Sequence, residues 1–213
     1  MDFLPESISN YVEKYSEQES ELLQELNHET WEKILTPRML SGHLQGRVLS
    51  MLSHMIQPTN ILEIGTYTGY SALCLAEGLK ENGSIDTIDI NEELENFAKK
   101  YFDKAGLSTT IKQHIGNALD IIPTLNKKYD IVFIDADKSN YINYYDFVLD
   151  MVNPGGYIIA DNVLWSGKVT EPIEEMDEDT KTLVEFAQHL ANDNRVQQVI
   201  FPVRDGLLIA RKK

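Results

Sequence analysis

The chain is poor in cysteine and has no long apolar run. Cys74 is its only cysteine, so no disulfide can form within the chain. No apolar stretch approaches the roughly 20 residues that a membrane-spanning helix requires. The amino-terminal segment MDFLPESISN lacks the basic and apolar regions of a secretory signal peptide. The sequence therefore predicts a cytoplasmic protein that is not embedded in a membrane.

Positive charge is also scarce. The chain has 19 Lys and Arg against 34 Asp and Glu, which gives a formal net charge of −15. Such a field repels phosphate backbones and anionic lipid, which argues against broad nucleic-acid binding. A small local basic site remains compatible with this charge.

A length of 213 residues is typical of one domain. Residues 1–57 are predicted to form a helical extension, because apolar residues such as Leu22, Leu23 and Leu26 recur there at helical spacing. Residues 58–213 are predicted to form an α/β core, because short β-type runs bounded by Gly, Asn or Asp alternate with helical stretches.

The predicted core ends in a hairpin. Strands are predicted at 60–64, 84–89, 110–114, 130–134 and 157–160, and helices at 70–79, 92–105, 141–151 and 179–191, with a Pro-Gly-Gly breaker at 154–156. The runs VQQVIFPV and GLLIARKK are separated only by Arg204 and Asp205, which demands a hairpin. We therefore expect an open, mostly parallel sheet with helices on both faces and one antiparallel strand. Ligands of such sheets lie beyond the carboxyl ends of the strands.

A glycine turn follows the first predicted strand, in the segment EIGTYTGYS at 63–71. Gly65 and Gly69 have the spacing of neither a dinucleotide fingerprint nor a P-loop, so a bound pyrophosphate is not indicated. Glycines at this place let the backbone approach a ligand or turn sharply, and the preceding carboxylate of Glu63 favours a cationic or hydroxylated ligand. A tight strand-to-helix turn without a ligand is the alternative interpretation.

Asp89 ends the second predicted strand, twenty residues beyond Gly69. A carboxylate at this place accepts hydrogen bonds from the vicinal hydroxyls of a ribose. Because Glu92 and Glu93 follow, the alternative role of Asp89 is a helix N-cap.

Two further strands end in carboxylates. Asp135 follows the fourth strand, and Asp161 and Asn162 follow the fifth. Neighbouring strands lie about 4.8 Å apart, which would bring these side chains within range of one ion. Their oxygen donors favour Mg²⁺, Mn²⁺ or Ca²⁺ over zinc. Loop capping or solvated turns are the alternative.

Taken together, EIGTYTGYS, TIDIN, IDADKSNY and ADNVLWSGKV, in that order, resemble the cation-dependent O-methyltransferases, the family of caffeoyl-CoA and catechol methyltransferases and their small bacterial relatives. The resemblance covers nearly the whole chain. It implies a Rossmann-like class I methyltransferase fold, with a mostly parallel seven-stranded sheet, an antiparallel C-terminal strand and N-terminal helices. It also implies S-adenosylmethionine as the methyl donor, a divalent cation and a homodimer.

The resemblance also implies roles for individual residues. The cofactor-binding residues would be Ser41, Glu63, Gly65, Thr66, Ser71, Asp89 at the ribose, Ala118 beside the adenine, Asp135, and Asp137 near the methionine amino group. The metal ligands would be Asp135, Asp161 and Asn162. Lys138 matches the lysine that takes the phenolic proton in catechol methyltransferases, and Trp165 matches an aromatic wall of the acceptor pocket.

The acceptor implied by the resemblance is a small phenol with vicinal hydroxyls. The plant enzymes recognise coenzyme A esters partly through a basic residue in their amino-terminal segment, and the acidic start of this chain has no match for it, which argues against a coenzyme A thioester. Some bacterial relatives methylate a hydroxylated uridine in tRNA, which is the alternative acceptor. The net charge of −15 argues against it.

Overall fold

The computed structural model describes residues 5–213. The strands are β1 (Asn60–Ile64), β2 (Ser84–Asp89), β3 (Ile111–Ile115), β4 (Tyr129–Ile134), β5 (Val152–Ala160), β6 (Val196–Phe201) and β7 (Leu207–Lys212). The helices are α1 (Glu6–Tyr15), α2 (Glu21–Lys33), α3 (Gly42–Ile56), α4 (Tyr70–Ala76), α5 (Glu95–Lys104), α6 (Ala118–Ile121), α7 (Tyr141–Leu149) and α8 (Glu178–Asn192). Over residues 5–213, none of the helices combines the length and apolarity that crossing a bilayer demands.

The strands form one sheet in the order β3-β2-β1-β4-β5-β7-β6. Strands β1 to β5 pair in parallel, whereas β7 is antiparallel to β5 and β6. The predicted sheet with one antiparallel strand from the terminal hairpin is confirmed. The strand order reverses between β1 and β4, and a crevice opens at the carboxyl ends of strands at such a point.

Both faces of the sheet are covered. Because side chains alternate along a strand, the buried Ile61 and Leu62 of β1 belong to two different apolar clusters. Ile61 packs with residues of α2 to α5, such as Leu26 of α2. Leu62 packs with residues of α6, α7 and α8, such as Phe186 of α8. Helices on both faces are what a mostly parallel sheet requires.

Helix α3 is fixed tightly against α4. A Cβ atom on Gly46 of α3 would lie 2.6 Å from the Tyr70 ring, and one on Gly78 would lie 2.2 Å from the backbone of Ser53. The helical character predicted for the amino-terminal part of the chain is confirmed over the described residues. The close contact holds the first half of α3, at Gly46, against the start of α4, at Tyr70.

Several predicted boundaries need correction. The Pro-Gly-Gly segment at 154–156, predicted as a breaker after the helix 141–151, lies inside β5, which begins five residues earlier than predicted, at Val152. Gly155 has a φ of +83°, and the pairing of β4 with β5 shifts register after Tyr129, so the glycines form a bulge. Helix α4 ends at Ala76 because Gly78 packs on α3.

Smaller corrections concern two of the predicted helices. The predicted helix 92–105 divides into a 3-10 turn at Glu92–Leu94 and α5, and the predicted helix 141–151 ends at Leu149. The predicted run 196–203 is shorter as β6, which ends at Phe201, and the remaining predicted strand and helix ends agree to within one residue.

Candidate active site

The carboxyl ends of β1, β4 and β5 lie side by side. Ile134 is in register with Ile64 on one side and with Ala160 on the other. The pairing extends one residue further, because the backbone N–H groups of Asp135 and Asp161 donate to carbonyl oxygens of the neighbouring strands at 2.8 and 2.9 Å. The residues that follow these strands therefore meet at one edge of the sheet.

Asp135 and Asp161 form a pair of carboxylates at this edge. Asp161 is 2% exposed, and burial, followed by the charge of Asp135, raises the pKa of Asp161 to about 7. Burial also raises the pKa of Asp135, against the opposing effect of Lys138. Two carboxylates that resist ionising together favour a compensating cation. The alternative interpretation as a solvated turn is wrong for Asp161, because water hardly reaches it.

The oxygen donors at this edge suit a hard divalent cation. Over residues 5–213 no three His, Cys, Asp or Glu side chains cluster as metal ligands, and here two carboxylates would be completed by the amide of Asn162. Asn162 has a φ of +56°, in the left-handed region that Asn tolerates better than most residues. Carboxylate and amide oxygens are typical ligands of Mg²⁺ and Ca²⁺. Asp135, Asp161 and Asn162 therefore fit such an ion.

Lys138 points its amine at the same edge. It is 7% exposed, and its Nζ donates to Oδ1 of Asn162 at 3.2 Å and lies 3.6 Å from Oδ1 of Asp135. The amine also donates to the hydroxyl of Tyr141 and lies 5.7 Å from the ring centroid of Trp165. A buried amine is thereby held between two candidate metal ligands and an aromatic ring.

Glu63 is buried in a network of hydroxyl groups. Ser71 donates to its Oε1 at 2.6 Å and Thr87 to its Oε2 at 2.5 Å. The hydroxyl of Thr66 lies 2.6 Å from that of Thr87 and extends the network. Glu63 has no exposed surface, and burial raises its pKa to about 8 in spite of the two donors.

This pKa makes the stability of the protein depend on pH. Glu63 ionises near pH 4.5 in the unfolded chain and near pH 8 when folded, so its contribution is complete below pH 4.5 and is lost as the pH rises towards 8. We expect the Glu63→Gln variant to lose less of its free energy of unfolding over this range, by up to about 1.4 kcal/mol per pH unit. Urea unfolding at pH 5 and pH 8 without ligands measures the difference. The exposed Glu81, changed to Gln, is the control, and equal pH slopes for the Glu63→Gln variant and the wild type would contradict the expectation.

The two glycines of the turn after β1 are required by the backbone conformation and by close packing. Gly65 has a φ of +105°, and a Cβ atom there would lie 1.9 Å from the carbonyl oxygen of Asp135. Gly69 has a φ of +88°, and a Cβ atom there would lie 2.7 Å from the Phe102 ring. Both positions demand glycine for the close approach of β1 to β4 and for the entry into α4. The tight turn is real, whether or not a ligand also lies against it.

Asp89 closes the other side of the glycine turn. Its Oδ2 accepts from the backbone N–H of Tyr67 at 2.6 Å, and its Oδ1 accepts from that of Asn91 at 2.9 Å. The N-cap interpretation of Asp89 is wrong, because Asn91 is the residue that caps the following turn, accepting from the N–H of Glu93. A carboxylate oxygen accepts more than one hydrogen bond, so Asp89 keeps acceptor capacity for two ribose hydroxyls.

The remaining predicted residues lie around this edge. Ser41 is 6% exposed at the start of α3, and Ala118 is 7% exposed at the start of α6. Asp137, one turn before α7, accepts from the hydroxyl of Tyr144 at 2.5 Å. Trp165 lies half-buried in the loop after Asn162.

Three residues of this edge were not predicted from the sequence. Tyr141 donates its hydroxyl to the backbone oxygen of Asp161 at 3.0 Å. Gln45 of α3 donates to Oδ2 of Asp161 at 2.5 Å, and Arg204 of the hairpin turn donates to Gln45 at 3.2 Å. Tyr141 is three residues from Lys138, a spacing that points both to one side of a helical turn, but the other two are distant in sequence and carry no local signal.

Comparisons with known proteins relate the chain to methyltransferases. A family model described as O-methyltransferase matches residues 13–213. Caffeoyl-CoA O-methyltransferase 5 of Nicotiana tabacum is 37% identical over 179 residues, which cover 79% of this chain and 75% of that protein. Caffeoyl-CoA O-methyltransferase of Stellaria longipes is 32% identical over 204 residues, which cover 91% of this chain and 84% of that protein.

Solved structures agree over the whole length. The SAH-bound methyltransferase PaMTH1 of Podospora anserina has a TM-score of 0.90 at 28% identity and covers 100% of this chain and 99% of its own. The O-methyltransferase TomG of Streptomyces achromogenes, solved in complex with SAM, has a TM-score of 0.87 at 30% identity, with coverages of 97% and 96%. The predicted fold class is confirmed.

Proposed function

The chain belongs to the O-methyltransferase family, and from that premise we propose that it moves the methyl group of S-adenosylmethionine to one hydroxyl of a catechol-like small molecule, with the help of a divalent cation. The observation that carries this proposal is the meeting of a buried amine, Lys138, with the oxygen donors of Asp135 and Asn162 at one edge of the sheet.

The proposed transfer requires the site to make a phenolic hydroxyl a stronger nucleophile. A phenol has a pKa of about 10, and each unit by which a site lowers it corresponds to about 1.4 kcal/mol. A divalent cation held by Asp135, Asp161 and Asn162 would supply Lewis-acid stabilisation of a phenolate oxygen and a template for two vicinal hydroxyls. Asp161, which is 2% exposed, is shielded from competing water.

The protein's own groups then carry out the proton transfer and the positioning. Lys138 Nζ accepts the proton of the attacking hydroxyl, since it is the amine that reaches this edge. The hydroxyl oxygen forms a bond to the methyl carbon while the bond from that carbon to sulfur breaks, and its electron pair stays on sulfur. Trp165 packs against the acceptor ring beside the amine. Holding both reactants in line lowers the entropic part of the barrier.

The donor would be held along the edge from β1 to β4. Asp89 would accept from the two ribose hydroxyls, and Asp137 from the methionine amino group. The sulfonium is cationic, and Asp135 gives this part of the edge an acidic side chain. Glu63 would support the glycine turn through its hydrogen bonds with Ser71 and Thr87. S-adenosylhomocysteine, found in PaMTH1, is the product that the transfer would leave behind.

The test is a methyl-transfer assay with labelled S-adenosylmethionine. The acceptor panel contains catechol, a dihydroxybenzoate, caffeic acid, caffeoyl-CoA, a flavonoid with vicinal hydroxyls, and resorcinol as the matched acceptor whose hydroxyls are not vicinal. We expect label in the small vicinal diols that carry no coenzyme A when Mg²⁺ is present, loss of label with EDTA, and recovery with excess Mg²⁺. Methyl transfer at an unchanged rate in EDTA, or labelling of resorcinol equal to that of the vicinal diols, would overturn the proposal.

A tRNA arm tests the alternative acceptor. tRNA that carries 5-hydroxyuridine is added to the same assay. Given the net charge of −15, we expect no incorporation into it. Label in tRNA and none in the small diols would replace the acceptor and keep the chemistry.

A further inference from the structure

A chain of hydrogen bonds runs from the hairpin turn to the candidate metal ligand Asp161. Arg204 Nη1 donates to Oε1 of Gln45 at 3.2 Å, and Nε2 of Gln45 donates to Oδ2 of Asp161 at 2.5 Å. Gln45 is 1% exposed and Asp161 is 2% exposed. The link spans 116 residues of sequence between Gln45 and Asp161, so it joins α3 directly to the end of β5. We name these three residues the Arg204 relay.

The chemistry of the three side chains fixes the direction of the relay. A guanidinium only donates, and an ionised carboxylate only accepts. The amide of Gln45 lies between them and can satisfy both only with its oxygen towards Arg204 and its nitrogen towards Asp161. Arg204 therefore selects the amide orientation that places a donor on the carboxylate.

The backbone at Arg204 indicates that its side chain is needed there. Arg204 has a φ of +50°, in the left-handed region where a residue with a Cβ atom is strained and glycine is not. Its Nη1 also donates to the backbone oxygen of Leu40, just before α3, at 3.3 Å. A strained residue that makes two long-range hydrogen bonds at a candidate site points to function.

The neighbouring turn residues fix Arg204 relative to the site. Oδ1 of Asp205 accepts from the backbone N–H of Ser166 at 2.5 Å, and the carbonyl of Gly206 accepts from the N–H of Val163 at 3.2 Å. The hairpin turn is thus bound directly to the loop that follows Asn162. Movement of the turn would therefore be transmitted to the metal-ligand edge.

We propose that Gln45 and Arg204 are positioning residues that hold the carboxylate of Asp161 in one orientation for a divalent cation, an inference that rests on the proposed function. Oδ1 of Asp161 accepts from the N–H of Asn162 at 2.7 Å, and Gln45 fixes the other oxygen, so rotation of the carboxylate is blocked. Gln45 carries no charge and leaves the negative charge of Asp161 available to a cation. Residues that orient a metal ligand in this way change metal affinity by about 10- to 100-fold.

Metal binding tests the relay without relying on turnover. Mn²⁺ is titrated into the protein, and free Mn²⁺ is measured by electron paramagnetic resonance. We expect the Kd for Mn²⁺ to rise about 10- to 100-fold in Gln45→Leu and less in Arg204→Gly, with the Kd for S-adenosylhomocysteine unchanged in both. Gln24→Leu, an exposed glutamine on α2, is the matched control and should bind Mn²⁺ as the wild type does.

Arg204→Gly keeps the test valid if Gln45→Leu folds poorly. Glycine suits the φ of +50°, so this variant removes the guanidinium without straining the turn, and it should fold although Gln45 loses one hydrogen-bond partner. Kinetically, we expect a higher KM for Mg²⁺ with kcat recovered at saturating Mg²⁺. Because Arg204 acts through Gln45, the double variant should bind Mn²⁺ no more weakly than Gln45→Leu alone.

The outcomes separate the relay from the proposed function. If the wild type binds Mn²⁺ and Asp161→Ala does not, the metal site stands. Wild-type affinity in both Gln45→Leu and Arg204→Gly would then overturn the relay alone, and so would losses that add in the double variant. If the wild type and Asp161→Ala bind Mn²⁺ equally, or neither binds it, both the proposed function and the relay are overturned.

Discussion

Replacing Asp161 with alanine is expected to lower kcat for methyl transfer by about three orders of magnitude or more. The carboxylate of Asp161 lies beside Asp135. It is 2% exposed and is the most deeply buried of the candidate metal ligands. A cation that stabilises a developing charge by several kcal/mol accounts for a loss of this size, since each 1.4 kcal/mol is tenfold in rate. Binding of S-adenosylmethionine should change little, because the residues proposed to hold it remain.

The same variant should be more stable in the absence of metal. Burial and the charge of Asp135 raise the pKa of Asp161 to about 7, so removing it relieves the repulsion between two neighbouring carboxylates above that pH. Thermal unfolding with EDTA, together with turnover and cofactor titration, measures all three effects. Asp103→Ala is the control, because this acid accepts a hydrogen bond from Ser108 at the end of α5. A wild-type kcat for Asp161→Ala with Mg²⁺ would contradict the proposed function.

Replacing Lys138 with methionine is expected to lower kcat by about 10²- to 10⁴-fold, the range for removing a general base. Methionine keeps much of the length of the buried side chain and cannot accept a proton. Lys138→Arg should lose a similar factor, because a guanidinium does not give up its proton in proteins and so cannot serve as the base. Single-turnover rates with a vicinal diol, measured at several pH values, test the loss and the flattening of the pH profile.

The hydrogen bond from Lys138 to Asn162 offers a second explanation for the same loss, and metal binding distinguishes the two. If Lys138→Met keeps the wild-type Kd for Mn²⁺ and is slow, the amine acts on the proton. If its turnover recovers at high Mg²⁺, the amine only orients Asn162 and the assignment as base fails. Lys181→Met, on α8 next to Glu178, is the control and should turn over normally.

The sequence predicts this fold well wherever local pattern decides the structure. Strands β1 and β2 have their predicted bounds, and the hairpin of β6 and β7 follows from the short distance between two strand-like runs. The prediction of a helix breaker at the Pro-Gly-Gly segment is wrong, because the same residues that break a helix also form a bulge in a strand. Only the pairing of β5 with β4 decides between the two.

The candidate site divides in the same way. Residues at or just after strand ends, such as Asp89, Asp135 and Asp161, are predicted from the strands themselves. The sequence does not predict the Arg204 relay, because Gln45 and Arg204 are 159 residues apart and neither lies in a local motif. Asp89 illustrates a finer limit, since the choice of helix cap between Asp89 and Asn91 depends on backbone geometry that composition does not report.

The position of β7 has a consequence for how this protein is made. In the sheet β7 lies between β5 and β6, although it is the last of the seven strands along the chain. Until residues 207–212 emerge, β5, which carries Asp161 at its end, is an open edge with unpaired backbone groups. Every other strand of the parallel part can pair as it is synthesised. Completion of this edge of the sheet therefore waits for the last of the seven strands, and a nascent chain is exposed to wrong strand pairing until then.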